Sequence, residues 1–202
     1  DVSGLNIKGA RIEVATNNHC FAAPIAGLCN NSNISDCIIS DSYVSLTDSA
    51  KMWGTGGIAG FGSGNLDNVS TDVTLVCIDT DKQVKDEQFM GGAYAAGFLN
   101  IRNCKINIDG YDSDHGYVHD GGLVGMYMVY PYDLSLTYAG EVLNNEVYGQ
   151  ITFYEDNTDR RAYCKANMGE VMNWTYAYSG FKYDFDANET FDYSVTLLPE
   201  KC

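Results

Sequence analysis

Positive charge is scarce in this chain of 202 residues. Lys and Arg number 12 against 27 Asp and Glu, a formal net charge of −15 with His neutral. Binding to phosphate backbones needs clustered Lys and Arg, so nucleic acid is not expected as a partner. Anionic membrane surfaces are disfavoured for the same reason. Proline is nearly absent: Pro24, Pro131 and Pro199 are the only three, so no Pro-rich linker divides the chain. No apolar run approaches the roughly 18 residues of a membrane span. The longest candidate, GGLVGMYMVYPY, is short and broken by glycine, so direct membrane insertion is not expected. The seven cysteines include no C-x-x-C pair, which argues against a cysteine-only zinc site. Their odd count leaves at least one thiol unpaired within the chain.

Nucleotide and hydrolase signatures are missing too. The chain has no P-loop lysine, no H-E-x-x-H and no G-x-S-x-G. GTGGIAG only approximates a dinucleotide fingerprint, and no helix follows whose N-terminus could hold a pyrophosphate. His19 beside Cys20 does not make a nucleophilic dyad, because neighbours on a strand face opposite sides.

What is there is apolar, aromatic and repetitive. The hydrophobic fraction is 45%, with 15 Tyr, 8 Phe and 2 Trp, a composition that buries a core rather than staying disordered. A step of Asn, Ile or Leu, any residue, Asn, Asp or Gly, then a small apolar residue recurs as NISDC from Asn33, NLDNV from Asn65 and NIRNC from Asn100. A looser copy, NIKGA, starts at Asn6, and the spacings are 27, 32 and 35 residues (6 to 33, 33 to 65, 65 to 100). Ahead of the later copies stands a glycine phrase: PIAGL, GIAGF, AYAAGF and GLVGM, the last followed by a degraded partner, VLNNEV. Of these, PIAG places Pro24 at the first glycine, and GAYAAG reads as one residue longer.

Between these phrases the sequence alternates. Ala10, Ile12 and Val14 share one face, as do Val69, Thr71, Val73, Leu75 and Cys77, and again Cys104, Ile106 and Ile108. That period of two predicts half-buried strands, and no capped helix-period run lies between them. Strands returning about every 30 residues predict an all-β fold, a parallel β-helix of about five coils over residues 1–131. The general rule for parallel crossovers makes it right-handed. Glycine suits its tight corners. Asn6, Asn33, Asn65 and Asn100 are expected to stack as an amide ladder, with Ala10, Cys37, Val69 and Cys104 filling the interior beside it. Residues 132–202 read as the last degraded coil and a C-terminal β-strand cap, which protects the open end of the stack. Cys164 and Cys202 are the only cysteines there and form the candidate disulfide.

GGLVG at residues 121–125 and GGIAG at residues 56–60 resemble the GLUG repeat of bacterial surface proteins. The resemblance covers about residues 22–150. It implies a β-helix within a large adhesin-like cell-surface protein, or within the non-catalytic region of an immunoglobulin-A-specific metallopeptidase. The opening DVSGLNIKGARIEV carries no signal-peptide pattern. With its strand-like start and its end at LPEKC, the chain is expected to be a piece of a longer exported protein, extracellular or at the bacterial surface.

Two side-chain groups stand out as candidate sites. YDSDHGYVHDGG gathers Asp112, Asp114, His115, His119 and Asp120, donors that suit calcium through oxygen or zinc through imidazole. Its plainer reading is a polar loop between coils, so no cofactor is required and calcium is the one considered. Tyr127, Tyr130 and Tyr132 of MYMVYPY, with Trp53 and Trp174, could contact a glycan or a host protein through flat ring faces. The same rings would also cover the end of a core. The expected function is a non-catalytic adhesive or binding module that recognises a glycan or host-surface protein. A polysaccharide lyase or glycoside hydrolase domain is the alternative, and a structural stalk is the third reading. The scarcity of basic residues for proton abstraction weighs against the enzyme.

Overall fold

The computed structural model describes residues 1–48, 52–80, 87–112, 117–129, 141–153, 168–173, 182–183 and 192–195. The first, partial turn holds β1 (Val2–Ser3), β2 (Asn6–Lys8), β3 (Arg11–Thr16) and β4 (Cys20–Ala22). Three turns follow: β5 (Ala26–Ser35), β6 (Ile38–Asp48) and β7 (Met52–Gly56); β8 (Ala59–Asp67), β9 (Ser70–Asp79) and β10 (Glu87–Gly91); β11 (Tyr94–Arg102), β12 (Lys105–Asp112) and β13 (Tyr117–Gly121). Beyond them lie β14 (Val124–Val129), β15 (Glu141–Leu143), β16 (Glu146–Phe153), β17 (Met168–Asn173), β18 (Lys182–Tyr183) and β19 (Asp192–Val195).

Every strand pairing among the described residues is parallel. The strands make three sheets, ordered β1-β5-β8-β11-β14-β17, β2-β6-β9-β12-β16-β19 and β4-β7-β10-β13. Each turn visits the sheets in that order. The protein is an all-β solenoid of about three turns. β17 and β19 extend the first two sheets, and residues 130–140, which span the expected domain boundary, lie outside the described residues.

The alternation places the core as expected. Val69, Thr71, Val73, Leu75, Cys77, Cys104, Ile106 and Ile108 are all buried on the inner side of the second sheet. The intervening Asp72, Asn107 and Asp109 are exposed. Each buried Leu or Ile of this kind stabilises the fold by roughly 1.5–3 kcal/mol relative to exposure.

One part of the expected ladder is corrected. Asn65 Nδ2 donates to Asn33 Oδ1 and Asn100 Nδ2 to Asn65 Oδ1, each at 2.6 Å, but Asn33 Nδ2 donates at 2.9 Å to Oδ1 of Asp1. Asn6 instead pairs in register with Ile38 in the second sheet. The first copy of the repeat is DVSGL from Asp1, and its interval to Asn33 is 32 residues. Ala10 moves with Asn6: the column in register is Leu5, Cys37, Val69 and Cys104, with Leu5 exposed at the first turn and the other three buried, tied by Ile38, Ser70 and Lys105 N–H groups donating to the carbonyls of Leu5, Cys37 and Val69 at 2.9–3.0 Å. In the next turn Asn145 takes that place. Its Oδ1 accepts from Cys104 N–H and its Nδ2 donates to Ile101 O, both at 3.0 Å.

The fourth position of each step turns the chain from the first sheet into the second. Asp36, Asn68, Asn103 and Asn144 have φ of 55°, 54°, 55° and 57°, and Gly4 has 69°. This left-handed conformation suits Asn, Asp and Gly, whose penalty there is smallest. Asn68 Nδ2 donates to Asp36 Oδ1 at 2.7 Å and Asn103 Nδ2 to Asp67 Oδ1 at 2.8 Å.

The glycine phrase turns the third sheet back into the first, and the two then pack on each other. A Cβ on Gly57 would strike the carbonyl of Gly92, the equivalent residue one turn on. At Gly60 it would lie 2.5 Å from Phe21 Cβ. A small second core fills this layer: Phe89, Ala95 and Ala96, with Phe21 and Phe61 against them. The register Tyr94↔Ala59, Ala96↔Phe61, Gly97↔Gly62 shows that GAYAAG carries no extra residue, and that Ala95 stands where Gly60 stands in the turn before.

Candidate functional site

The acidic loop cluster is divided by its strands. Asp112 ends β12 in register with Cys77, and Asp120 of β13 is in register with Met90 of β10. Both face the main core and are buried, at 1% and 0% exposure. Gln88 Nε2 donates to Asp120 Oδ1 at 3.3 Å, and Thr55 Oγ1 lies 3.3 Å from Cys77 Sγ. Burial pushes the Cys77 thiol well up, and the nearby Asp112 carboxylate adds to the effect, so this cysteine is an inert core residue.

His119 faces the other way. It stacks on Phe89 with ring centroids 5.0 Å apart and planes 12° from parallel. Burial lowers its pKa to about 4, so the ring is neutral at pH 7. Adjacent strand residues point to opposite faces, which takes His119 away from Asp120 as a shared ligand. Asp114 and His115 lie outside the described residues. Among the described residues no group of three or more His, Cys, Asp and Glu side chains could hold a metal ion.

The expected aromatic patch fares similarly. Trp53 is 1% exposed and fills the core between the in-register Cys20 and Gln88, so its ring is not a surface contact. Trp53 lies within β7, where the strand's alternation turns the ring inward. Tyr127 stands in β14 in register with Gly97, while Tyr130, Tyr132 and Trp174 lie outside the described residues, as do Cys164 and Cys202. Among the described residues, Cys20, Cys29, Cys37, Cys77 and Cys104 form no disulfide with one another.

A different surface is concave. On the outer side of the second sheet a shallow trough of about 330 Å³ crosses β9, β12 and β16, with Asp72, Thr74, Asn107, Asp109, Gly149 and Gln150 along it. Asn107 Nδ2 donates to Asp72 Oδ1 at 2.9 Å, and Gln150 Nε2 donates to Asp109 Oδ1 at 3.1 Å. Gly149 has φ of 110°, and a Cβ there would run into the Ile108 carbonyl, so no side chain rises at that point.

Tyrosines border the trough. Tyr43 is in register with Thr74, and Tyr148 with Asn107. Arg11 lies over the Tyr43 ring at 4.6 Å and Lys105 over Tyr148 at 5.3 Å. Tyr148 OH donates to Glu146 at 2.7 Å, and that bond to a carboxylate raises the phenol pKa. None of these residues stood out in the sequence. Their signal is outward strand positions repeating at the coil interval, 35 residues from Asp72 to Asn107 and 41 from Asp109 to Gln150.

No protein-family model, curated protein or solved structure matches this chain.

Proposed function

We propose that the chain is a non-catalytic binding module of a bacterial cell-surface protein related to the GLUG-repeat adhesins, extracellular and part of a longer chain. Its solenoid is a right-handed β-helix of about five coils with a C-terminal β cap, and its ligand is a glycan or a host-surface protein. The observation that supports this most is the trough on the second sheet. It is concave and exposed, with Asn107 and Gln150 hydrogen-bonded to Asp72 and Asp109 one turn away, and it is bordered by Tyr43 and Tyr148, each with a cation over one ring face and the other face left for contact. Prepaid side-chain ordering of this kind favours binding. The test is capture of the fluorescent chain on an array of glycans and host matrix proteins, repeated with Asp109→Ala/Gln150→Ala. Binding that the double variant abolishes supports the module. Binding indifferent to it removes the trough from the reading.

A structural spacer is the second reading, favoured by the side-chain ladder that runs from Asn100 through Asn65 and Asn33 to Asp1 and ties successive turns. No array signal in any channel would select it. Release of reducing or unsaturated sugars from polysaccharide mixtures would instead select an enzyme.

A further inference from the structure

The chemistry of the trough selects among ligands. Its two amides spend a donor hydrogen each on Asp72 and Asp109, and no Lys or Arg lines it. What remains toward solvent is weighted to acceptors: the second carboxylate oxygens, the Asn107 and Gln150 carbonyls and the Thr74 hydroxyl. Such a surface pairs with a donor-rich ligand. An anionic polymer would meet two carboxylates on a protein of net charge −15, a repulsion reaching about 8 Å at physiological salt.

The arrangement also selects a shape. Asp72 and Asn107 stack in one column and Thr74, Asp109 and Gln150 in the next, in register on successive turns. Neighbouring strands are about 4.8 Å apart, so similar groups recur at that step along the solenoid axis. A compact molecule would use one rung of this array, whereas an extended polymer crosses several. At the margins, the ring faces of Tyr43 and Tyr148 that Arg11 and Lys105 do not cover suit the apolar faces of sugar rings.

We infer that the trough binds a neutral, hydroxyl-rich polysaccharide lying along the solenoid axis. This rests on the binding-module reading above. The experiment is native electrophoresis of the whole chain through gels cast with neutral β-glucan or mannan, with anionic alginate or polygalacturonate, or with no polymer, alongside capture on immobilised polylysine. At least one neutral polymer is expected to retard the chain. Asp109→Ala/Gln150→Ala should weaken that retardation about tenfold, as loss of two or more hydrogen bonds to the ligand implies, with an unchanged circular-dichroism spectrum and only the small fall in melting temperature that loss of their one mutual hydrogen bond brings. Asp72→Asn/Asp109→Asn, which keeps shape and most acceptors, should retain most of the binding to the neutral polymer.

Trough-dependent retardation by alginate or polygalacturonate in place of neutral polymers would overturn the ligand class and leave the module standing. So would polylysine capture that collapses in the Asp→Asn variant, since a cationic ligand needs the charges. Absence of any trough-dependent binding in all arms would overturn both.

Discussion

Asn65 donates its Nδ2 to Oδ1 of Asn33 and accepts at its own Oδ1 from Asn100, both at 2.6 Å. One side chain thus ties three turns. Asn65→Ala removes both bonds, and the expected loss is about 1–2 kcal/mol in urea unfolding. Asn6→Ala is the control: lying outside the ladder, it should change stability by less than about 0.5 kcal/mol. Equal effects at the two positions would contradict the register described.

The corner at Asn68 separates conformation from hydrogen bonding. Both Asn68→Gly and Asn68→Ala lose the bond to Asp36, but only alanine is penalised at φ of 54°. Alanine should therefore be less stable than glycine by about 1–2 kcal/mol. A reversed order in matched denaturation curves would show that the corner relaxes.

Packing between the third and first sheets predicts that Gly60→Ala is disruptive. Its Cβ would lie 2.5 Å from Phe21 Cβ and 2.6 Å from the Gly27 carbonyl, overpacking that costs about 1–3 kcal/mol. Alanine is native at the equivalent Ala95 because Gly54 stands opposite it there, a Gly54 Cβ falling 3.1 Å from Ala95 Cβ. Gly54→Ala should accordingly also destabilise, as a lower melting temperature.

His119 gives a pH signature. Its folded pKa is lowered by burial to about 4, against about 6.5 for an unfolded His. The unfolded state then binds a proton that the folded state does not between those values. His119 thus favours folding fully above pH 6.5 and loses that contribution as pH falls toward 4, on the order of 3 kcal/mol in all. His119→Phe keeps an aromatic ring against Phe89 and should flatten stability across that window relative to wild type.

Thiol reactivity follows burial. Cys77 is fully buried, and burial raises Cys104 to about 12, so a disulfide reagent should label both only on unfolding. The half-buried Cys20 and Cys29 should react before those two in the native protein.

Much of the fold was legible because a strand declares its faces locally. The polar Asp72, Asn107 and Asp109 alternating with Val73, Ile106 and Ile108 marked which side was core, and the glycine phrases marked tight corners, whereas the left-handed corners at Asp36, Asn68 and Asn103 emerged only in the structure. Asn6 misled because NIKGA and DVSGL fit the same loose pattern five residues apart. Only the pairing of β1 with β5 chooses between them. The trough was not legible at all, since its residues meet across turns of different length.

The sequence by itself determined the strands, their inner faces and the glycine corners, because backbone sterics and the period of two act within a few residues. The tertiary structure alone decided which rung each residue joins, that Trp53 and Asp120 lie inside, and that Asp109 meets Gln150. Those outcomes depend on the number of residues in each turn, and stacked parallel strands convert that count into lateral register only once the coil is closed.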